Sequence, residues 1–212
     1  MKEILFAQFK QILDAYKPTN ICEIGTHEGK SSGQFIGHLL EVVGVPKLKY
    51  TGYDAFEFAN NQTDIQEVNG KGPGTLAGAT SRISIYKNKY PNKFDFELIK
   101  GWTQDTLKES VFDFVYIDGG HSYESVKHDH GMLEKSRVIV FDDYQIDPVK
   151  KYFDEYTSAN NIPEVEFNPE KIKAENKTVY SFLPHPTKRN KITGEIQRSK
   201  YHVQPCIFRS AV

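Results

Sequence analysis

Five short apolar runs punctuate the first 144 residues, and each stops at a glycine or an acid. They are NICEIG (20–25), KYTGYDAF (49–56), FDFELIKG (94–101), FDFVYIDGG (112–120) and RVIVFDDY (137–144). Runs of this length, rich in β-branched and aromatic residues, read as strands buried on both faces. Between them the apolar residues fall at helical spacing. Leu5, Phe9, Ile12, Leu13 and Tyr16 precede the first run, and Phe35, Ile36, Leu39, Leu40 and Val43 follow it. Further helices are expected over Ser81 to Tyr90, over SYESVKHDHGMLEKS, and from Asp147-Pro148 with Val149, Tyr152, Phe153 and Tyr156 as its buried stripe. Strands that alternate with helices in this way dictate an α/β chain with a doubly wound, mostly parallel sheet.

The later part changes character. EVEFNP (164–169) and TVYSFLP (178–184) are separated only by the polar EKIKAENK (170–177). A link that short suits an antiparallel pair rather than a crossover. The expected sheet therefore has seven strands, the last antiparallel. Residues 59–80 are polar and glycine-rich and read as a long loop with room for a short helix; loops this long are usually functional lids or disordered. From Pro184 onward six Lys or Arg face one acid, so this stretch carries +5 and the remainder −6. The expected division is one domain over 1–183 and a basic, solvated extension over 184–212.

The 212 residues suffice for one sizeable core. The net charge of −1 gives no footprint for nucleic acid. No apolar run approaches the ~18 residues of a membrane span, and the N-terminus lacks a signal-peptide pattern; a cytoplasmic protein is expected. Cys22 and Cys206 are too few for a disulfide framework or a zinc site.

In a doubly wound sheet, ligands bind beyond the carboxyl ends of the strands. Here those ends carry Glu23 with Gly25 and Gly29, then Asp54, Trp102-Thr103-Gln104, Asp118 with His121, and Asp142-Asp143. The stretch ICEIGTHEGKSS (21–32) fails as a triphosphate loop, because Ile24 occupies the position of its first glycine. It fails as a dinucleotide fingerprint too, with His27 and Lys30 where the second and third glycines belong. A strand-end acid and two glycines four apart suit the close approach of an uncharged nucleoside with an amino-acid arm.

With EIGTHEGKSS, GYDAF, GWTQDTL, VYIDGGHSYESVKHD and VIVFDDY in this order, the chain resembles the class I S-adenosylmethionine-dependent methyltransferases. It is most similar to their small-molecule O-methyltransferase branch, the macrocin and catechol types. The likeness covers roughly residues 20–183 and implies a Rossmann-like fold. It implies that Glu23, Gly25 and Gly29 frame the methionine part of the cofactor and that Asp54 holds the ribose. It places Trp102, Thr103 and Gln104 by the adenine, and Asp118 near the methyl end. Asp118, Asp142 and Asp143 would bind magnesium. Where the catechol type has a lysine as base, this chain has His121, which could act as base near neutral pH or as a metal ligand favouring a softer ion.

The implied reaction is methyl transfer to a hydroxyl of a small-molecule acceptor such as a sugar, a glycoside or a phenol, with a divalent metal assisting. A non-catalytic nucleoside-binding protein of the same fold and a metal-dependent hydrolase or hydroxylase remain as alternatives. His27 and Lys30 are expected to be solvated loop residues, and His128 and His130 to serve surface or packing roles. Trp102 and Tyr144 each fit either a ligand contact or core packing.

Overall fold

A computed structural model describes residues 3–67, 72–175, 177–184, 187–189, 196–198 and 204–209. The chain opens with helix α1 (Glu3–Tyr16), followed by strand β1 (Asn20–Ile24) and helix α2 (Lys30–Gly37), which continues as a π-helical stretch over His38–Val43. Strand β2 (Leu48–Asp54), helices α3 (Asn61–Gln66) and α4 (Leu76–Lys89), strand β3 (Phe94–Lys100) and helix α5 (Thr103–Thr106) come next. Then follow β4 (Phe114–Ile117), α6 (Tyr123–Leu133), β5 (Val138–Phe141), α7 (Asp147–Ala159) and α8 (Pro169–Ala174). The last strands are β6 (Val179–Phe182), a small hairpin of β7 (Thr187–Arg189) and β8 (Ile196–Arg198), and β9 (Pro205–Phe208).

Seven strands form one sheet in the order β3-β2-β1-β4-β5-β9-β6. The five strands from β3 to β5 are parallel, and β9 runs antiparallel to both its neighbours. The Rossmann-like expectation holds. One apolar layer joins α1, α2, α4 and α8 to the sheet, with Phe9, Ile12, Leu13 and Leu39 fully buried. The other joins α6 and α7, through Val126, Leu133, Val149 and Phe153. Phe9 packs its ring 5.2 Å from Phe35 and 5.1 Å from Tyr116, so α1 and α2 grip the same patch of β4. Burying each such ring contributes about 2 kcal/mol.

Two sequence expectations need correction here. First, the segment 59–80 holds the short helix it had room for, α3, and also the start of α4. Asn60 caps α3 in a reciprocal capping box with Thr63, and Thr75 caps α4, which starts before the expected Ser81. The alanines and single glycine of LAGATS carry too weak an apolar stripe to reveal that first turn. Second, the antiparallel strand does not come from EVEFNP, which contributes one isolated bridge, Glu164 to Tyr180. The linking EKIKAENK contains α8, capped by Asn168. The antiparallel strand is β9, from the stretch expected to lie outside the domain. Cys206, Ile207 and Phe208 are buried and pair with Val140, Ile139 and Val138. The division at 183/184 therefore fails at 205–208, because β9 fills the gap between β5 and β6. Of the basic residues in this stretch, Lys188, Arg189 and Arg198 fall in the hairpin and Arg209 donates to the Tyr156 hydroxyl, while Lys191 and Lys200 lie outside the described residues.

Candidate active site

The glycine loop splits its duties. Gly25 leaves β1 at φ 89°, and a Cβ there would sit 1.9 Å from the Asp118 carbonyl oxygen. Only glycine lets the end of β1 lie this close to the end of β4. Gly29, at φ 68°, starts α2 and faces α4, where a Cβ would lie 3.4 Å from the Ala79 Cα. Gly25 lines the cleft above the sheet; Gly29 stands behind it and sets the helix packing.

Glu23 is not at the cleft, against expectation. It is 1% exposed and points into the layer beneath the loop. There it accepts from Tyr50 Oη at 2.6 Å and from Ser32 Oγ. Burial lifts its carboxyl to about 7, opposed by the Ser32 and Tyr50 bonds. A strand buried on both faces offers no polar face to show which way an acid turns.

Asp54, Trp102, Thr103, Gln104 and Asp118 do converge, on a solvent-open cleft of about 900 Å³ at the carboxyl ends of the strands. Asp54 Oδ2 accepts from the His27 N–H at 2.7 Å, and Oδ1 from the Phe56 N–H at 2.6 Å. Burial raises its pKa, and these two backbone donors pull it back. Each oxygen keeps lone-pair capacity for a ligand hydroxyl. Trp102 leads into α5, and Gln104 Nε2 reaches Ser125 Oγ on α6 at 3.3 Å. His27 also lines the cleft, at φ 50° and with Nε2 2.9 Å from Gly72 O, so it is more than the solvated residue expected. Lys30 is exposed.

The acids beyond β4 and β5 sort differently from the expected trio. Asp118, His121 and Asp143 bring one ligand atom each within 4.8 Å of one another. His121 is buried and lines the cleft, with Nε2 3.2 Å from Asp143 Oδ2. Asp142 is turned away. Its carboxylate accepts from Tyr116 Oη, from Gln204 Nε2 at 2.8 Å, and from the Asp143 N–H at 2.9 Å. Asp143, with a left-handed backbone at φ 54°, turns the other way, toward Asp118 and His121. The structure therefore puts His121 where the expected ligand set has Asp142. Two carboxylates and an imidazole are a mixed oxygen–nitrogen set, which fits a divalent ion of the manganese-to-zinc range better than magnesium.

Glu67 is a cleft residue that sequence reasoning missed. Its backbone oxygen accepts from the His121 N–H at 3.1 Å, and its carboxylate from the Ser122 N–H at 3.2 Å and Ser125 Oγ at 3.1 Å. It ties the end of α3 to the loop that bears His121. Its only sequence signal was its place in the long polar segment. The neighbouring histidines have packing roles, as expected. His128 Nε2 meets Thr103 O at 3.1 Å, and His130 is buried against Tyr152 and Tyr156, held neutral by burial with its pKa down at about 3. Tyr144 packs on Phe153 and Phe182 and bonds Asp154.

A parallel sheet reversed only at β9, with a glycine corner and an acid row along one cleft, defines a Rossmann-like methyltransferase fold. The family model described as a methyltransferase domain matches residues 22–144, more than half the chain. The chain belongs to that methyltransferase domain family and is a methyltransferase. Solved structures share the fold. The O-methyltransferase NovP is 15% identical with a TM-score of 0.61, over 98% of this chain and 79% of that one. TomG of Streptomyces achromogenes, an O-methyltransferase of tomaymycin synthesis solved with S-adenosylmethionine, is 13% identical with a TM-score of 0.53, over 97% and 80%. A putative O-methyltransferase from Klebsiella pneumoniae is 15% identical with a TM-score of 0.51, over 97% and 80%. No curated protein sequence matches the chain significantly. Among the described residues no helix is long and apolar enough to cross a membrane.

Proposed function

We propose that this methyltransferase transfers the methyl group of S-adenosylmethionine to a hydroxyl of a small molecule, a sugar, glycoside or phenol. The observation that carries the reading is a juxtaposition. The cleft formed by Gly25, Asp54 and Trp102 opens directly onto Asp118 and His121. The first part fits a nucleoside with an amino-acid arm: a close backbone approach, a ribose-binding acid and an aromatic wall. The second part supplies what an acceptor hydroxyl needs, a group to take its proton.

His121 accepts that proton, with Asp143 beside Nε2 to orient the ring and stabilise its charge. Asp118 keeps the sulfonium end of the cleft negative. The wall of the cleft holds the two reactants in line, and positioning is a large share of such catalysis. A second form of the same reading uses Asp118, His121 and Asp143 as ligands. A divalent cation bound by these three would lower the pKa of the acceptor hydroxyl. At any one nitrogen, His121 serves as ligand or as base.

Calorimetry with S-adenosylhomocysteine tests the cofactor, and methyl release over a panel of hydroxylated acceptors tests the reaction. Micromolar binding with turnover is expected. Absence of binding sinks the reading, and binding without turnover on any acceptor leaves a nucleoside-binding protein. Dialysis against a chelator separates the two forms: lost turnover, restored by manganese, selects the cation, and unchanged turnover selects His121 as base. Asp54→Ala should weaken cofactor binding at least tenfold.

A further inference from the structure

The floor of the cleft holds an acid that none of the roles above uses. Asp129 lies on α6 one turn beyond Ser125 and is 1% exposed, yet it forms part of the cleft wall with Trp102, Thr103 and Gln104. The Thr103 side chain lies beside its carboxyl and favours the charged form, against the larger effect of burial. Its Oδ1 is buried and has no hydrogen-bond partner among the described residues. The nearby donors are engaged elsewhere, Gln104 Nε2 on Ser125 and His128 Nε2 on Thr103 O. Gly119 keeps the approach open, since a Cβ there would stand 3.7 Å from Asp129 Oδ2 and collide with Ile24 at 2.8 Å.

A buried acceptor without a partner is costly, and a ligand that brings the missing donor recovers that cost on binding. An ionised carboxylate only accepts. The group that completes this site must therefore present an N–H or O–H at the Trp102–Gln104 end of the cleft. With the ribose on Asp54 and the sulfonium near Asp118, that end receives the base.

We infer that Asp129 reads the purine of the cofactor, its Oδ1 accepting the exocyclic amino N–H of adenine. The inference rests on the S-adenosylmethionine reading above. A 6-oxo purine would set its carbonyl oxygen against the carboxylate, and a site built for a donor rejects an analogue that lacks it. Burial lifts the Asp129 carboxyl to about 6, so it is largely ionised at neutral pH.

The test is calorimetry of the full chain at pH 7.5 with S-adenosylhomocysteine and S-inosylhomocysteine. Wild type should prefer the adenosyl compound at least tenfold. Asp129→Asn offers an amide N–H to the 6-oxo group, so the preference should fall below about threefold or reverse. A role confined to joining α5 and α6 would weaken both ligands alike and leave the ratio unchanged, which overturns the inference. Equal affinity of wild type for the two compounds overturns it without any variant, even if Asp129→Asn fails to fold. Failure of wild type to bind either one removes the cofactor reading itself, and this inference with it.

Discussion

The two flanks of the sheet are completed by different routes. On the β2-β1-β4 flank, strand and polar corner are neighbours in sequence, and Gly25, Asp54 and Asp118 face the space their motifs imply. On the β5-β9-β6 flank, a strand from far along the chain completes the sheet, and the acid that its motif points toward the site is consumed inside. Asp142 answers Tyr116 and Gln204, the residue just before β9. The first flank brings Asp54 and Asp118 to the cleft and turns Glu23 inward; the second brings Asp143 beside His121 and spends Asp142 on holding a distant segment in place.

The sharpest way to break this contrast is Gly25→Ala. A methyl group 1.9 Å from a backbone carbonyl, at positive φ, forces β1 and β4 apart. A loss of about 4 kcal/mol or more is expected, seen as an insoluble protein or a melting point lowered by tens of degrees. A variant that melts like wild type would show that the two strand ends are not in register. On the other flank, Ile207→Ala should cost about 3 kcal/mol, since the side chain is fully buried. Denaturant unfolding measures it; a cost below about 0.5 kcal/mol would return β9 to the status of a solvated tail.

The next comparison pits neighbours against each other. Asp143→Asn should lower kcat about a hundredfold with cofactor affinity unchanged, as expected for loss of an orienting or ligating acid. Asp142→Asn should act mainly on the melting temperature. Reversal of the two effects would mean that the expected trio, with Asp142 in it, is the working one.

The smallest effect concerns Glu23. Its folded pKa of about 7 stands above the ordinary 4.5. Below pH 4.5 both states hold the proton and the group costs nothing. Between 4.5 and 7 the unfolded chain ionises first, so stability is lost as pH rises; above 7 the loss is complete. Glu23→Gln removes the ionisation, so relative to wild type it should gain on the order of 2 kcal/mol by pH 8 and little at pH 4.5. Paired thermal melts at the two pH values check this, and a constant difference would mean that Glu23 keeps an ordinary pKa.

Much of the cofactor flank was legible because strand, corner and polar residue are contiguous there. Strand ends could be read to within a residue or two, and the residues at those ends named. What sequence withheld was orientation. Glu23 and Asp142 have the right type and place, yet each turns inward to hydroxyl partners, Tyr50 and Tyr116, that come from other strands. Asp129 and Glu67 stayed hidden because their relation to the cleft depends on how α6 and α3 dock. β9 was missed because four residues, PCIF, carry too little pattern to announce a strand, and its pairing is decided by the gap between β5 and β6.

That late strand sets the order of events in synthesis. When β5 has emerged its outer edge is bare, and β6 arrives with only the isolated bridge to Glu164 beside it. Until residues 205–208 are made, the nascent chain carries an open β edge of buried-type residues, Val138 to Phe141, of the kind that recruits other chains. The methyltransferase half can assemble early, but it stays sticky until its last strand is threaded between two that are already waiting. Aggregation during expression should therefore respond more to changes at 205–208 than to changes of equal stability cost in α1.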